Sequence, residues 1–132
     1  MLQWQPVDGL QDEATMTLMI ETVTPPTSGP FRLDLHLAAD ILVSADAARR
    51  RVSAFVGREI ADLLHGEPPN LVWQEHGVFW RVPVVLSSRS LGRIGVVGAI
   101  DVDVKTGELS LNDELIHTLE DNAQRLAAGA AL

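Results

Sequence analysis

The sequence predicts an α+β fold, in which an antiparallel β-sheet carries two α-helices packed on one face. Several segments alternate apolar and polar residues, as half-buried strands do. Two other segments repeat apolar residues at spacings of three and four, which is typical of amphipathic helices. The apolar helix stripes and the one-sided strands each need an apolar partner, and each can cover the other.

The length and composition favour a single domain. The chain has 132 residues, of which 46% are hydrophobic and 21% charged, an ordinary globular balance. Residues 1–14 show no clear period and contain Pro6 and Gly9, so we expect a loosely ordered N-terminal arm. Residues 15–132 are then the α+β domain.

Two alternating segments near the N-terminus predict an antiparallel strand pair. Residues 15–23 place apolar side chains at even positions, and residues 31–38 place them at odd positions. The proline-rich residues 24–30 between them are typical of a loop. In this arrangement His36 lies on the polar side of the second strand.

The first helix is predicted over residues 44–65. Ser44 is a good N-cap, and Asp46 in the first turn suits the helix dipole. An apolar stripe continues to Leu64, and Gly66 is placed to end the helix.

A β-hairpin follows, with His76 and Gly77 as the predicted central residues of its turn. Counting outward from that turn places Trp73 opposite Trp80. One face then carries Leu71, Trp73, Val78, Trp80, Val82, Val84 and Leu86. Arg81 lies on the other face.

Residues 94–104 predict a strand whose even positions are apolar. The apolar face carries Ile94, Val96, Gly98, Ile100, Val102 and Val104, and the wet face carries Asp101 and Asp103. Gly98 is expected to leave room for a tryptophan, and Gly107 to take the positive-φ position of a tight turn. Leu109 and Leu111 can form a short return strand.

The second helix is predicted to begin after Asn112, a plausible N-cap, and to end at Gly129. Its apolar stripe consists of Leu115, Ile116, Leu119, Ala123 and Leu126.

Composition and charge exclude several classes of function. The chain has no cysteine, which rules out disulfides, thiolate metal sites and cysteine nucleophiles. Its net charge of −8 argues against nucleic acid as a partner, and the single basic cluster is Arg49–Arg51. There is no apolar run long enough to span a membrane and no basic secretory leader, so we expect a cytoplasmic protein.

The candidate chemical motifs are weak. The glycines of GRIGVVG precede a strand, whereas a phosphate-binding loop opens a helix. No two histidines have the spacing of a helical zinc pair, and no catalytic set converges, so we expect no metal or cofactor. The polar residues that could line a ligand pocket are Arg81, Asp101, Asp103 and His36.

A family resemblance rests on two stretches. The segment VDVKTGE at residues 102–108, with FWRVPVVL at residues 79–86 before it, resembles the PepSY-type domain over about residues 44–111. That pattern is a helix followed by an antiparallel hairpin that ends in a V-D-x-x-T-G-E turn. The resemblance implies a non-catalytic α+β module, proposed in that family to regulate peptidases or bind peptides. The first two predicted strands and the last helix lie outside the match.

Two functions fit these observations. The first is a small non-enzymatic binding or regulatory protein that acts through protein–protein contacts, with a partner or with itself as a homodimer, because edge strands can pair with another chain. The alternative is a small-molecule-binding protein or enzyme, with a pocket between helices and sheet lined by the four polar residues. Nucleic-acid binding through Arg49–Arg51 is a third reading, against which the net charge argues.

Overall fold

The regular structure follows the predicted order of elements with one strand added and one missing. The computed structural model describes residues 16–131, so the predicted arm of residues 1–14 lies outside the described residues. The elements are β1 (Leu18–Ile20), α1 (Ala45–Glu59), β2 (Leu64–Gly66), β3 (Asn70–Gln74), β4 (Gly77–Ser88), β5 (Gly92–Asp103) and α2 (Asp113–Gly129). The α+β class is confirmed.

β4 is the central strand of the sheet. β5 pairs with it antiparallel along one edge, while β2 and β3 pair with successive parts of its other edge. β1 lies outside β3 and runs parallel to it, so the sheet is mixed and the prediction of a purely antiparallel sheet is wrong in this detail. Parallel pairing requires a long crossover, and the chain from β1 through α1 to β3 supplies one.

The predicted strand over residues 31–38 is absent, and residues 21–43 cross from β1 to α1 without regular structure. Phe31 and Leu33 are 53% and 39% exposed. Alternation identifies two faces of a segment but not a neighbouring edge, and β1 pairs with β3 instead. The predicted antiparallel pair across the proline loop is therefore wrong.

The first helix begins as predicted and ends earlier. The Ser44 hydroxyl accepts a hydrogen bond from the Ala47 amide at 3.1 Å, which confirms the N-cap. The helix stops at Glu59, and Gly66 belongs to β2 rather than to a helix cap. The Gly66 amide donates to the Ser53 hydroxyl at 2.8 Å. Pairing of Leu64–Gly66 with β4 outweighs the helical spacing of the apolar residues.

The hairpin register differs from the prediction by two residues. Gln74 pairs with Gly77, which leaves Glu75 and His76 as the turn. Trp80 therefore lies opposite Leu71 and not opposite Trp73. Gly77 begins β4 rather than lying in the turn, and a Cβ there would make a tight contact of 3.2 Å with the Phe79 ring. A shift of two residues preserves the predicted faces.

β5 has two register shifts against β4, and the one at Val97 reverses its predicted side-chain alternation. The register shifts between Val84 and Val85 of β4, so that Val97 is an extra residue of β5. Val97 is 2% exposed and Val96 is 51% exposed, the reverse of the predicted alternation. The prediction for Gly98 is also corrected: a Cβ there would lie 2.7 Å from Cδ2 of Leu119, so the glycine makes room for α2 and not for a tryptophan.

In the C-terminal quarter, the turn at Gly107 and the N-cap and end of α2 are confirmed, whereas the return strand is reduced to one bridge that does not include Leu111. Gly107 has a φ of +76° in the turn after β5. Leu109 forms a single bridge with Val102, a reduced form of the expected return strand. The Asn112 side chain accepts from the Leu115 amide at 2.7 Å and caps α2, which ends at Gly129.

The two faces of the sheet have different environments. Both helices contribute buried side chains to one cluster with alternate residues of β4 and β5, here called the core face: Trp80, Val82, Val84, Ile100 and Val102. The intervening positions form the second face, which carries Val72, Arg81, Val85 and Asp101. On the core face, the Trp80 indole donates to the Val43 carbonyl at 2.7 Å and ties the start of α1 to the sheet.

Candidate functional site

The structure brings together two of the four predicted ligand residues. Arg81 and Asp101 are cross-strand partners, with Nε to Oδ1 at 2.8 Å and Nη2 to Oδ2 at 2.9 Å. They lie on the second face, so they do not line a space between helices and sheet. Asp103 and His36 do not join them.

Two further residues, Glu21 and Gln74, extend this pair to a four-residue network. Glu21 follows β1 and accepts hydrogen bonds from Arg81 at 2.7 and 3.2 Å. The Gln74 amide donates to Glu21 at 3.0 Å and to Asp101 at 3.3 Å. Arg81 thus pairs with two carboxylates, and its donors are largely committed to them.

The electrostatics of the network reflect these bonds. The hydrogen bonds from Arg81, and next from Gln74, hold the pKa of Glu21 below its usual value. Hydrogen bonds to Asp101 and Glu21 raise the pKa of the Arg81 guanidinium further above its already high value. A guanidinium that remains charged and is paired twice is suited to structure rather than to proton transfer.

The strand register places an apolar side chain of the second face at the level of this network. By the strand register, Val72 lies between the level of Arg81 and the level of Glu21. The bonds between those two side chains therefore cross over Val72, which is 0% exposed. Long arginine stems can cover apolar surface while the charged head stays wet.

A second ion pair repeats this arrangement at the other end of β4. Arg93 donates to Glu67 at 2.8 and 3.0 Å, and this bond lowers the pKa of Glu67. The two residues lie on either side of the level of Val85, which is 0% exposed. The second face is thus covered at two places by ion-paired arginines.

The remaining predicted ligand residues have local roles or none. One Asp103 carboxylate oxygen accepts from the amides of Lys105 and Thr106 at 2.7 and 3.1 Å, which fixes the turn after β5. His36 is exposed and, within residues 16–131, makes no hydrogen bond or ion pair.

Each arginine of the basic cluster Arg49–Arg51 is bonded to a nearby acceptor. Arg49 and Arg50 both pair with Asp46, and Arg51 donates to the Gly107 carbonyl at 2.9 Å. Arg49 and Arg50 share the single carboxylate of Asp46, so the cluster keeps a net positive charge although each arginine has a local acceptor.

The outer edge of β5, meaning the edge that faces away from β4, has unpaired backbone groups. Near the end of the strand this edge is occupied, because the Asp103 amide donates to Glu108 and the Asp101 carbonyl accepts from Ser110. Because backbone groups alternate between the two edges of a strand, the amide and carbonyl of Ala99 also point outward. Beyond the bulge, those of Val96 point outward in the same way. Within residues 16–131, no other strand pairs with Gly92–Ile100 on this side.

The helix α2 lies beside this edge and leaves a cleft. Leu119 faces Gly98 and Leu126 faces Gly95, so α2 runs along β5 in the opposite direction. The Asn122 side chain donates to the Val97 carbonyl at 2.7 Å. A cleft of about 420 Å³ is lined by Val96, Asn122, Arg125 and Leu126.

Sequence reasoning missed the residues of this cleft. Asn122 carried a signal, since a polar residue three positions from Leu119 and four from Leu126 interrupts the apolar stripe of α2. The free edge depends on a bulge and on strand order, which the local pattern does not encode. Glu21 was missed because its partners are 53 and 60 residues away.

Other kinds of site are not found in the part of the chain that the structure describes. Residues 16–131 contain no group of three or more metal-ligating side chains. Over the same residues, no helix has the length and apolar character needed to cross a membrane. Comparison of the chain with known protein families, curated proteins and solved structures found no match, so the PepSY-type resemblance stays a prediction.

Proposed function

We propose that this protein is a non-enzymatic binding protein that accepts an extended segment of a partner protein along the outer edge of β5. Both helices would lie on the core face, and α2 would form one side of the groove that receives the segment. The observation that carries the proposal is the stretch of β5 beside the cleft of α2, with which no other strand of residues 16–131 pairs on that side. Addition of a strand to a sheet edge is a common mode of peptide recognition.

The composition of the edge supports this role. Exposed edges are normally blunted by lysine, by proline, by bulges or by a covering element, and β5 carries two register shifts, at Ile94 and Val97. Residues 94–100, with the sequence IGVVGAI, contain neither charge nor proline. Val96 on this stretch is 51% exposed, so an apolar side chain is available next to free backbone donors and acceptors.

The bulge at Val97 keeps the spacing that a bound strand needs, and the second register shift of β5, at Ile94, lies outside the stretch from Val96 to Ala99. Val96 and Ala99 are three residues apart in sequence but oppose Val85 and Pro83, which are two apart. Their outward groups therefore have the spacing of a regular strand edge. A bound segment can pair with both while the Val97 carbonyl keeps its bond to Asn122.

A second copy of the chain fits this edge less well than a segment without a helix. Paired β5 strands would lie about 4.8 Å apart. Each copy carries α2 along its own β5 through Leu119 and Leu126, and packed helix axes need about 8–10 Å. Self-pairing over this stretch would thus bring the two helices too close.

The proposal is tested by selecting random linear peptides on the immobilised full chain and measuring their affinity by fluorescence anisotropy. We expect Val96→Lys to abolish binding, because it places a charge at the centre of the edge. Leu91→Lys is the matched control, since Leu91 is 55% exposed at the tip of the same hairpin.

Bound peptide should also slow hydrogen exchange of the Val96 and Ala99 amides. Failure to select any peptide, or equal binding by both lysine variants, would overturn the proposal.

A further inference from the structure

The cleft beside β5 contains an arginine that is held in place without an acidic partner. Arg125 donates to the Asn122 side-chain oxygen at 2.6 Å, and Asn122 is itself fixed to the Val97 carbonyl. Arg125 takes part in no ion pair within residues 16–131. Even Asp121, four residues earlier on α2, does not pair with it.

Most other arginines of the described chain are paired. Arg32, Arg49, Arg50, Arg58, Arg81 and Arg93 each lie within 4.0 Å of a carboxylate oxygen. In a chain with 18 acidic and 10 basic residues, an arginine without a carboxylate is the exception. Arg125 is an exception that lines a cleft next to free backbone groups.

We infer that the strand received by β5 carries a carboxylate, from Asp or Glu, that pairs with Arg125, next to an aliphatic side chain that packs on Val96 and Leu126. This inference rests on the proposed function and adds the chemistry of the partner. Arginine matches a carboxylate with two parallel hydrogen bonds. Its positioning by Asn122 means that less side-chain freedom is lost on binding.

The net charge of −8 does not prevent this recognition. At physiological ionic strength, charges more than about 8 Å apart are largely screened, so the near arginine outweighs distant carboxylates. At low ionic strength the distant charges should act further, and association with an acidic segment should become slower.

The test is a charge exchange with peptides selected on the wild-type chain. A selected peptide is compared with versions in which its acidic residue is replaced by Gln or Lys. The wild-type chain should prefer the acidic peptide over the Gln version by about two- to fivefold, the range that exposed ion pairs give. Arg125→Glu should prefer the Lys version, and Arg89→Glu is the matched control with wild-type preference.

The outcomes separate this inference from the proposed function. If the peptides bind, Val96→Lys abolishes binding and Arg125→Glu leaves the charge preference unchanged, strand addition stands and the acidic partner is refuted. If Val96→Lys has no effect, the binding surface itself is refuted, and with it the role of Arg125.

Discussion

Replacement of Gly98 by alanine tests how α2 is seated on the sheet. An added Cβ would lie 2.7 Å from Cδ2 of Leu119, closer than carbon atoms approach without displacement. Leu119 is 0% exposed, so its side chain can make room only by repacking among the core residues. Overpacking of this kind costs about 1–3 kcal/mol. The φ of +158° at Gly98 adds a backbone cost that no repacking removes.

A double-mutant cycle separates the two costs. Leu119→Ala alone should lose about 2–5 kcal/mol through the cavity it creates. The cavity left by Leu119→Ala accommodates the new methyl group. The double variant should therefore be more stable than the sum of the two single losses in unfolding free energy predicts, by about 1 kcal/mol or more. The free energy of unfolding is measured by urea denaturation.

The control for the cycle is Gly129→Ala. Gly129 ends α2 with nothing within 4 Å of an added Cβ, so this variant should be neutral or more stable by up to about 1 kcal/mol. Equal stability of the Gly98 and Gly129 variants, or strict additivity in the cycle, would refute the proposed seating of Leu119 on Gly98.

Three further predictions follow from contacts on the sheet. Trp80→Phe should lower the free energy of unfolding by about 1–3 kcal/mol, because it leaves the Val43 carbonyl without its donor; an unchanged urea midpoint would contradict this. Glu21 has a lowered pKa, so its stabilisation is present above its unfolded pKa and is lost as pH falls through the folded one. The difference in unfolding free energy between wild type and Glu21→Gln should therefore be constant near neutral pH and shrink on acidification. A difference that grows in acid would show that the Arg81 contact does not stabilise the charged form of Glu21. By NMR, the free amide of Ala99 should exchange faster than that of the next residue, which is bonded to β4; equal protection would show that the outer edge is covered.

Local patterns predicted the elements that depend on neighbouring residues. Ser44 and Asn112 cap helices by bonds to amides three residues ahead, and Gly107 supplies a positive φ within one turn. Each of these features is determined by a few consecutive residues, so a single sequence suffices to find it.

The features that were wrong depend on partners far along the chain. Leu64 continues the apolar spacing of α1, yet its backbone pairs with Leu86 of β4. The alternation of residues 31–38 is as regular as that of a strand, but the segment belongs to none of the strands described within residues 16–131. Of the candidate ligand residues, counting placed Arg81 and Asp101 on the polar faces of their own strands, but their pairing depends on the register between β4 and β5. Glu21 follows a parallel strand that alternation does not reveal.

The ion-paired covers over Val72 and Val85 have a consequence for how this domain tolerates substitution. By the strand register, each valine lies at a level that one arginine–carboxylate pair spans, and each is 0% exposed. Without Glu21 or Glu67, the paired arginine would lose the carboxylate that fixes its position. Its side chain could then move away, and water could reach the valine. A variant that lacks either glutamate would need another group over the valine to keep it buried. A bulkier apolar side chain or an additional segment of backbone could take that place.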